Sequence, residues 1–461
     1  MDTPSPSPSS VPSFGVLGLG RSGKAAVHFL SQRRHPVLAW DQGTVPLDEL
    51  KHLPQIEVLH GPLPEERFGR CAAILLSPGI PRNHPGVARL IDQGIPVIND
   101  CEWLYREAQR QTPPPRRFVA ITGTNGKSTV TTLVGMMLAA ADTTGIQTRT
   151  GGNLGQAALS LFHEETRTYV LELSSFQLES MHDFRANSAA LLNISPDHMD
   201  RYPRLEDYLA AKLRIFRNQR PGDVAIVNRD DPGLWPEMAQ SACLPGVTLV
   251  GFSIDRPVPG GVYIEDGQLI DHRGPRKQPL MATSRIRIKG RHNLANATAA
   301  AALALSEGAP PDTVAGVLEE FSGLPHRMQW VREINGVGFY NDSKGTNVGA
   351  VIESLASFDH PLVLIAGGRA KKTDFSSLEA AARNRLRAAV LIGEAANDLE
   401  QVLSRVAPTV QAPSMKEAVA QSLRLAHPGD VVLLSPACAS FDMFKNFEDR
   451  GDRFSEAVHA L

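Results

Sequence analysis

The densest chemistry in this 461-residue chain lies in GTNGKST, Gly123 to Thr129. It follows the apolar stretch FVAIT and precedes a run in which Val130, Leu133, Val134, Met137 and Leu138 recur at helical spacing. A glycine turn between a strand and a helix is what a phosphate-binding loop requires. Gly123, Thr124, Asn125 and Gly126 would bring backbone N–H groups to the phosphates, Lys127 would reach the β- and γ-phosphates, and Ser128 or Thr129 could hold Mg2+. The common GxxxxGK[ST] spacing has a glycine where this chain has Ile121, so a tighter loop is expected. The alternative is an ordinary turn before a helix.

A second glycine turn, GLGRSG, places Gly18, Gly20 and Gly23 after a strand candidate, with Asp41 closing the next one. Taken literally the pattern says NAD; the same turn suits any diphosphate, nucleotide-sugars included, and Asp41 would then serve a ribose or a uracil. Glu172, in LELSSFQLE, ends a strand where an NTPase often offers Mg2+ a carboxylate. NISPDHMDRY groups Asn193, Asp197, His198 and Asp200, a metal-ligating set or a solvated loop. In RLEDYLAAKLRIF, Lys212 falls on the helical arc of Leu205, Tyr208, Leu209, Leu213 and Phe216, where a lysine either snorkels or is buried for a reason. GRHNLANA puts His292, Asn293 and Asn296 at the start of an Ala-rich helix, where one asparagine could cap and another read a base edge.

These motifs need elements to hold them. Short β-prone runs alternate with helix-like stretches throughout, the signature of parallel α/β units. At about 100 to 200 residues per domain the length fits roughly three domains. The expected division is a tail over 1–13, a first domain over 14–112, a central one over 113–324 and a third over 325–461, with Pro113, Pro114 and Pro115 as a linker. The third domain, read as another parallel sheet, carries HR, NDSKGTN, GGRAKKTDF and SPACASFDMFKNF beside its strand candidates, where open α/β sheets bind ligands.

Composition narrows the function. Lys plus Arg number 47 and Asp plus Glu 49, a net charge of −2, which argues against nucleic acid as a partner. No apolar run nears the ~20 residues of a membrane helix, and MDTPSPSPSSVPS, nine of thirteen residues Pro or Ser, reads as a flexible tail lacking a secretory pattern. Four scattered cysteines without a CxxC pair fit a reducing cytoplasm.

Jointly, GTNGKSTVTTL, ELSSFQLE, DHMDRY, AAKLRIF, GRHNLANA, GLPHR, NDSKGTN and SPACASFDMFKNF resemble the Mur ligases, in one order from about Gly15 to the C-terminus. The resemblance implies three domains: a Rossmann-like UDP-binding domain, a central P-loop ATPase domain with a mostly parallel sheet, and a C-terminal Rossmann-like domain that brings the amino acid. It implies a cytoplasmic, monomeric enzyme of peptidoglycan synthesis that adds D-glutamate to UDP-N-acetylmuramoyl-L-alanine through an acyl phosphate, with ATP and two Mg2+ ions. SPACASFDMFKNF and GGRAKKTDF point to D-glutamate, and no DNPR-type segment of the diaminopimelate- or lysine-adding members is present.

Carried over by motif, Lys127, Glu172, His198 and Lys212 would be catalytic. Ser128, Thr129 and Glu172 would hold one Mg2+; His198 and a carbamylated Lys212 would serve the second. Asn293, Asn296, Arg327, Asp342 and Lys344 would surround the nucleotide. Gly18, Arg21, Ser22, Asp41, Ser77, Gly79 and Asn153 would contact the UDP-substrate, while Thr346, Lys371, Ser440, Phe441 and Phe447 would receive D-glutamate. The loop after Asp41 reads QGTVP, without the basic residue the resemblance leads one to expect, which makes Arg21 and Ser22 the candidates there.

Overall fold

The computed structural model describes residues 13–461 except 44–49, 51, 112–115, 143–146, 200, 237–244, 289, 359 and 371–372. The expected tail up to residue 12, the proline run, Asp200, Cys243 and Lys371 therefore lie outside the described residues. Cys71, Cys101 and Cys438 are buried free thiols.

Three sheets follow one another along the chain. The first is parallel: β1 (Phe14–Leu17), β2 (Val37–Asp41), β3 (Ile56–His60), β4 (Ala73–Leu76) and β5 (Val97–Ile98), in the order β3-β2-β1-β4-β5. Strand order reverses at β1, so a crevice opens beyond the carboxyl ends of β1 and β4, where such sheets take ligands. β3 is half-exposed along its length, so no apolar run announces it.

The second sheet has nine strands, β6 (Arg117–Thr122), β7 (Gln147–Gly152), β8 (Thr166–Glu172), β9 (Ser188–Leu191), β10 (Val224–Asn228), β11 (Thr248–Ser253), β12 (Val262–Glu265), β13 (Gln268–Asp271) and β14 (Gln278–Ala282). β12 to β14 form antiparallel hairpins; the rest is parallel. β6 lies between β8 and β9, so the loop after β6 meets Glu172 on one side and Asn193 on the other. Helix Lys127–Ala141 packs beside helix Arg291–Ser306, six of whose ten buried residues are alanine, allowing close approach to the sheet.

The third sheet runs β15-β16-β20-β17-β18-β19, with β15 (Gln329–Ile334), β16 (Val337–Asn341), β17 (Leu362–Gly367), β18 (Leu386–Ile392), β19 (Thr409–Gln411) and β20 (Val431–Leu434). β15 pairs antiparallel with β16, which corrects the expectation of a purely parallel sheet. β20 sits between β16 and β17, so the loops after these three strands emerge side by side.

The first and second sheets share apolar core: Trp103 and Leu104 of helix Asp100–Arg110 belong to one cluster with Phe118 and Tyr169. Within it the fully buried Glu102 carboxylate accepts the backbone N–H groups of His182, Asp183 and Phe184 at 3.1, 2.9 and 3.0 Å. Together with Arg106 Nε at 2.9 Å, these donors satisfy the carboxylate and tie the two domains' backbones together.

Candidate active site

Gly126 starts the helix Lys127–Ala141 from a left-handed conformation, φ +82°. A Cβ there would lie 2.1 Å from Asn296 Oδ1, so glycine is required both for the turn and for the asparagine's approach. Asn193 braces the loop: its Oδ1 accepts Thr124 N at 3.1 Å and Asn125 N at 2.8 Å, and its Nδ2 donates to Asn125 O at 3.1 Å. Sequence reasoning placed Asn193 among possible metal neighbours; the structure gives it this bracing role.

Two lysines converge on one carbonyl. Lys127 Nζ donates to Gly123 O at 2.9 Å and to Thr124 O at 2.8 Å, and Lys212 Nζ donates to the same Gly123 O at 2.8 Å. Lys212 is buried, not snorkelling. Its helix is Leu205–Leu213 and tightens to a 3-10 turn over Arg214–Phe216. Burial and the neighbouring Lys127 charge hold Lys212 well below the ordinary lysine range, against the pull of Asp197 and Glu172. Burial also lowers Lys127.

Glu172 is the nearby anion. Burial pushes its pKa up, but Lys127, Ser128, Asn153 and Arg327 outweigh that and leave it below the usual value. Its Oε1 accepts Asn153 Nδ2 at 2.8 Å, while Oε2 is buried without a hydrogen-bond partner. A buried carboxylate with an orphaned oxygen, facing the Ser128 hydroxyl at a helix N-terminus where Thr129 follows, is a hard-oxygen donor set of the kind Mg2+ takes, so the residues fit that ion. His198 stands in a left-handed backbone conformation, φ +55°, its ring edge-on to Phe176 and its Nε2 3.7 Å from Asp197 Oδ2.

The third sheet closes over this loop. Arg327 NH2 donates to Ser128 Oγ at 2.7 Å, and Asn347 Nδ2 donates to Asn125 Oδ1 at 3.3 Å. Between them lies a cavity of about 590 Å3 reached by Thr129, Asn293, Asn296, Asp342 and Lys344. His292 borders it, its pKa lowered to about 4 by burial and by Arg327, so the ring is neutral. Gly290 is the N-cap of their helix, which corrects the capping reading; Asn293 and Asn296 both border the cavity, and Asn296 Nδ2 donates to Asn293 Oδ1 at 3.5 Å. Asp342 Oδ2 accepts the Ser354 and Ser435 hydroxyls, each at 2.8 Å, and burial raises its pKa to about 6. Burial also lowers Lys344, to about 8, with its Nζ 3.6 Å from the Phe447 ring centroid. Asn347 and Arg291, at or beside this cavity, lie in NDSKGTN and GRHNLANA without being singled out by those motifs, while Asp230 carries no recognisable sequence signal.

Beyond β20, Ser440 is buried and Phe441 is 64% exposed. Thr346 is tied by its N–H to Lys344 O at 2.8 Å. At the first sheet, Gly18 has φ +87°, Ser77 Oγ donates to Gly18 O at 2.7 Å, and a Cβ on Gly23 would lie 1.7 Å from Gly18 O. Gly20, by contrast, has open space around it, and nothing contacts a Cβ built on Gly79. Asp41 accepts Leu19 N of the glycine turn after β1 at 2.7 Å and Gly43 N of its own turn at 3.0 Å. Its carboxylate thus ties the two turns together. Arg21 NH2 reaches across to Asn153 O at 3.3 Å, and Ser22 neighbours the buried Asp100.

Comparison with known proteins agrees with this geometry. The sequence matches the Mur ligase MurD-like N-terminal domain over residues 13–99, the Mur ligase middle domain over 121–304 and the Mur ligase glutamate ligase domain over 326–438. A UDP-N-acetylmuramoylalanine–D-glutamate ligase of Pseudomonas aeruginosa is 42% identical over 97% of both chains. One of Hahella chejuensis is 40% identical over 97% of this chain and 98% of its own. In fold, a pseudomurein peptide ligase type C of Methanothermus fervidus aligns with TM-score 0.61 at 16% identity over 97% of this chain and 99% of its own. A MurF ligase of Thermotoga maritima solved in complex with ADP aligns at 0.58 and 14%, over 97% and 95%. The chain belongs to the Mur ligase family.

Proposed function

We propose that this Mur ligase joins D-glutamate to UDP-N-acetylmuramoyl-L-alanine, converting ATP to ADP and phosphate in peptidoglycan precursor synthesis. The convergence of Lys127 and Arg327 on one phosphate loop, with the buried Lys212 beside them, is the observation that carries it: two buried cations around a helix N-terminus are a site for transferring a phosphoryl group. Relatives named for this reaction at about 40% identity support the substrate pair.

The acceptor's terminal carboxylate attacks the γ-phosphate and ADP leaves. The amine of D-glutamate then attacks the acyl carbon, and phosphate departs through a tetrahedral intermediate. Lys127 and the loop amides stabilise the transferring phosphoryl charge, Arg327 clamps the phosphates from the third domain, and Asn293, Asn296, Asp342 and Lys344 hold the rest of the nucleotide. Ser128, Thr129 and Glu172 would hold one Mg2+, and His198 with a carbamylated Lys212 a second; bound there, such ions neutralise charge on the phosphates. Neutral Lys212 can add CO2, losing a proton to give a carbamate anion where an ammonium would repel metal.

Gly18, Arg21, Ser22, Ser77, Gly79 and Asn153 take the UDP-substrate, with Asp41 shaping the turn, and Thr346, Lys371, Ser440, Phe441 and Phe447 take D-glutamate. The domains are assigned to 14–112, 113–324 and 325–461, and the protein acts as a cytoplasmic monomer, in keeping with its buried free thiols. Among the described residues no helix is long and apolar enough to cross a membrane. The test is phosphate release from ATP, expected only when both UDP-N-acetylmuramoyl-L-alanine and D-glutamate are present. Equal release with another amino acid, or without the acceptor, would overturn the reading.

A further inference from the structure

Arg450 lies in the first turns of helix Phe447–His459 and is completely buried. Its guanidinium donates Nε to Ser343 Oγ at 3.0 Å, NH2 to Ser343 O at 2.8 Å, and NH1 to Cys438 O at 3.1 Å and Gly367 O at 3.4 Å. Every one of these acceptors is neutral. Among the described residues no carboxylate pairs with Arg450; the Cys438 side chain, Asp442 and Asp342 act on it only through space. Burial brings its pKa down to about 10, so the group is a cation at neutral pH.

A buried, unpaired guanidinium is an expensive way to fill space, and an apolar side chain of similar volume would pack without the desolvation cost. What Arg450 does instead is visible in its partners. Ser343 belongs to the loop after β16, Gly367 ends β17, and Cys438 lies two positions before Ser440 in the loop after β20. These are the three loops that emerge side by side from the sheet. Arg369 and Ala439 bind one another just beyond, N to O at 2.8 and 3.1 Å, and Gly368 leaves room for the guanidinium, since a Cβ there would lie 3.2 Å from NH1.

We propose that Arg450 is a positioning residue of the amino-acid pocket, fixing its three loops while its unneutralised charge favours an amine substrate with a second carboxylate. The inference rests on the reading of D-glutamate as the incoming amine. Neutral acceptors leave the positive field to reach outward toward Ser440, and the side-chain carboxylate of the substrate gains from that field where an amide does not.

The test uses the full chain with ATP and UDP-N-acetylmuramoyl-L-alanine, comparing D-glutamate with D-glutamine. Arg450→Met should raise KM for D-glutamate about tenfold or more while KM for ATP stays within about twofold, and should cut the preference for D-glutamate over D-glutamine about tenfold. Arg450→Lys, which keeps the charge and loses the fork, should recover that preference while kcat stays reduced. Should Arg450→Met not fold, Asp442→Asn reads the same charge from outside. Asp442 Oδ2 accepts Glu394 N at 2.9 Å, a bond asparagine can keep, and removal of its charge should lower KM for D-glutamate about twofold to threefold. Equal rises in both KM values for Arg450→Met, loss of the preference in Arg450→Lys, or an unchanged KM in Asp442→Asn would overturn the proposal. A wild-type enzyme that releases no phosphate in response to D-glutamate would instead overturn the proposed function.

Discussion

Gly126→Ala adds one methyl group at the point where two requirements meet. The residue is left-handed, φ +82°, and an L-residue pays about 1–2 kcal/mol in that conformation whether or not nucleotide is bound. The added Cβ would lie 2.1 Å from Asn296 Oδ1 and 3.1 Å from Asn296 Cγ, so the amide has to swing away from its place against the loop. Losing a nucleotide contact of ordinary strength costs about 1 kcal/mol more, and only when nucleotide binds. The two effects separate in the assay. Thermal unfolding should fall by about 2–8 °C from the backbone strain. KM for ATP should rise about fivefold to tenfold, while KM for UDP-N-acetylmuramoyl-L-alanine stays put. Gly20→Ala is the control with the opposite logic: its φ is −68° and no atom lies within 4 Å of the new Cβ, so unfolding should not move. A rise in KM for the UDP-substrate alone would then report a diphosphate lying against Gly20. Gly126→Ala with parental unfolding temperature and parental KM for ATP would refute the argument.

Lys127→Ala should cost several kcal/mol of transition-state stabilisation, seen in kcat, with affinity for the UDP-substrate retained; parental turnover would unseat the phosphate-loop assignment. Lys212→Ala should abolish ligation with the fold intact and regain part of it when a short carboxylic acid is supplied; an unmodified lysine in crystals with Mg2+ and both substrates would remove the carbamate. His326 and Met328 hold left-handed φ values of +60° and +46° on either side of Arg327, a strained joint between the second and third domains. Small-angle scattering should show the third domain opening when nucleotide and acceptor are absent, and an identical profile in every ligand state would count against a hinge there. Lys344, lowered to about 8 by burial, loses its charge as pH rises through that value, so ATP affinity of the free protein should fall between pH 7 and 9.5, with Lys344→Met flat. Stability moves the other way: the unfolded lysine, at 10.5, keeps its proton longer, so this group makes the fold more stable as pH rises from about 8 to 10.5.

What the sequence discloses follows from how local the physics is. The phosphate loop is readable because strand, glycine turn and helix are contiguous, and the lysine that serves it is the next residue. Lys212 is readable as anomalous because the helical period places it on an apolar arc, and its burial confirms the anomaly. Edge strands are poorly readable: β3, β15 and β19 are only partly buried, so their residues alternate weakly or not at all. Asp41 shows the ambiguity of a lone carboxylate, since a strand-end aspartate serves equally to bind a ligand or to hold a turn, and here one oxygen braces the glycine turn after β1 while the other closes its own turn. Arg450 is the extreme case. FEDRGDRF has the composition of a solvated helix face, and its arginine is nonetheless buried because loops from residues 343, 367 and 438 converge on it. Such a role has no sequence signature, because each acceptor is a backbone carbonyl or a single hydroxyl, and almost any residue supplies a carbonyl. Positioning by the backbone becomes visible only when strand order has brought three distant loops to one edge.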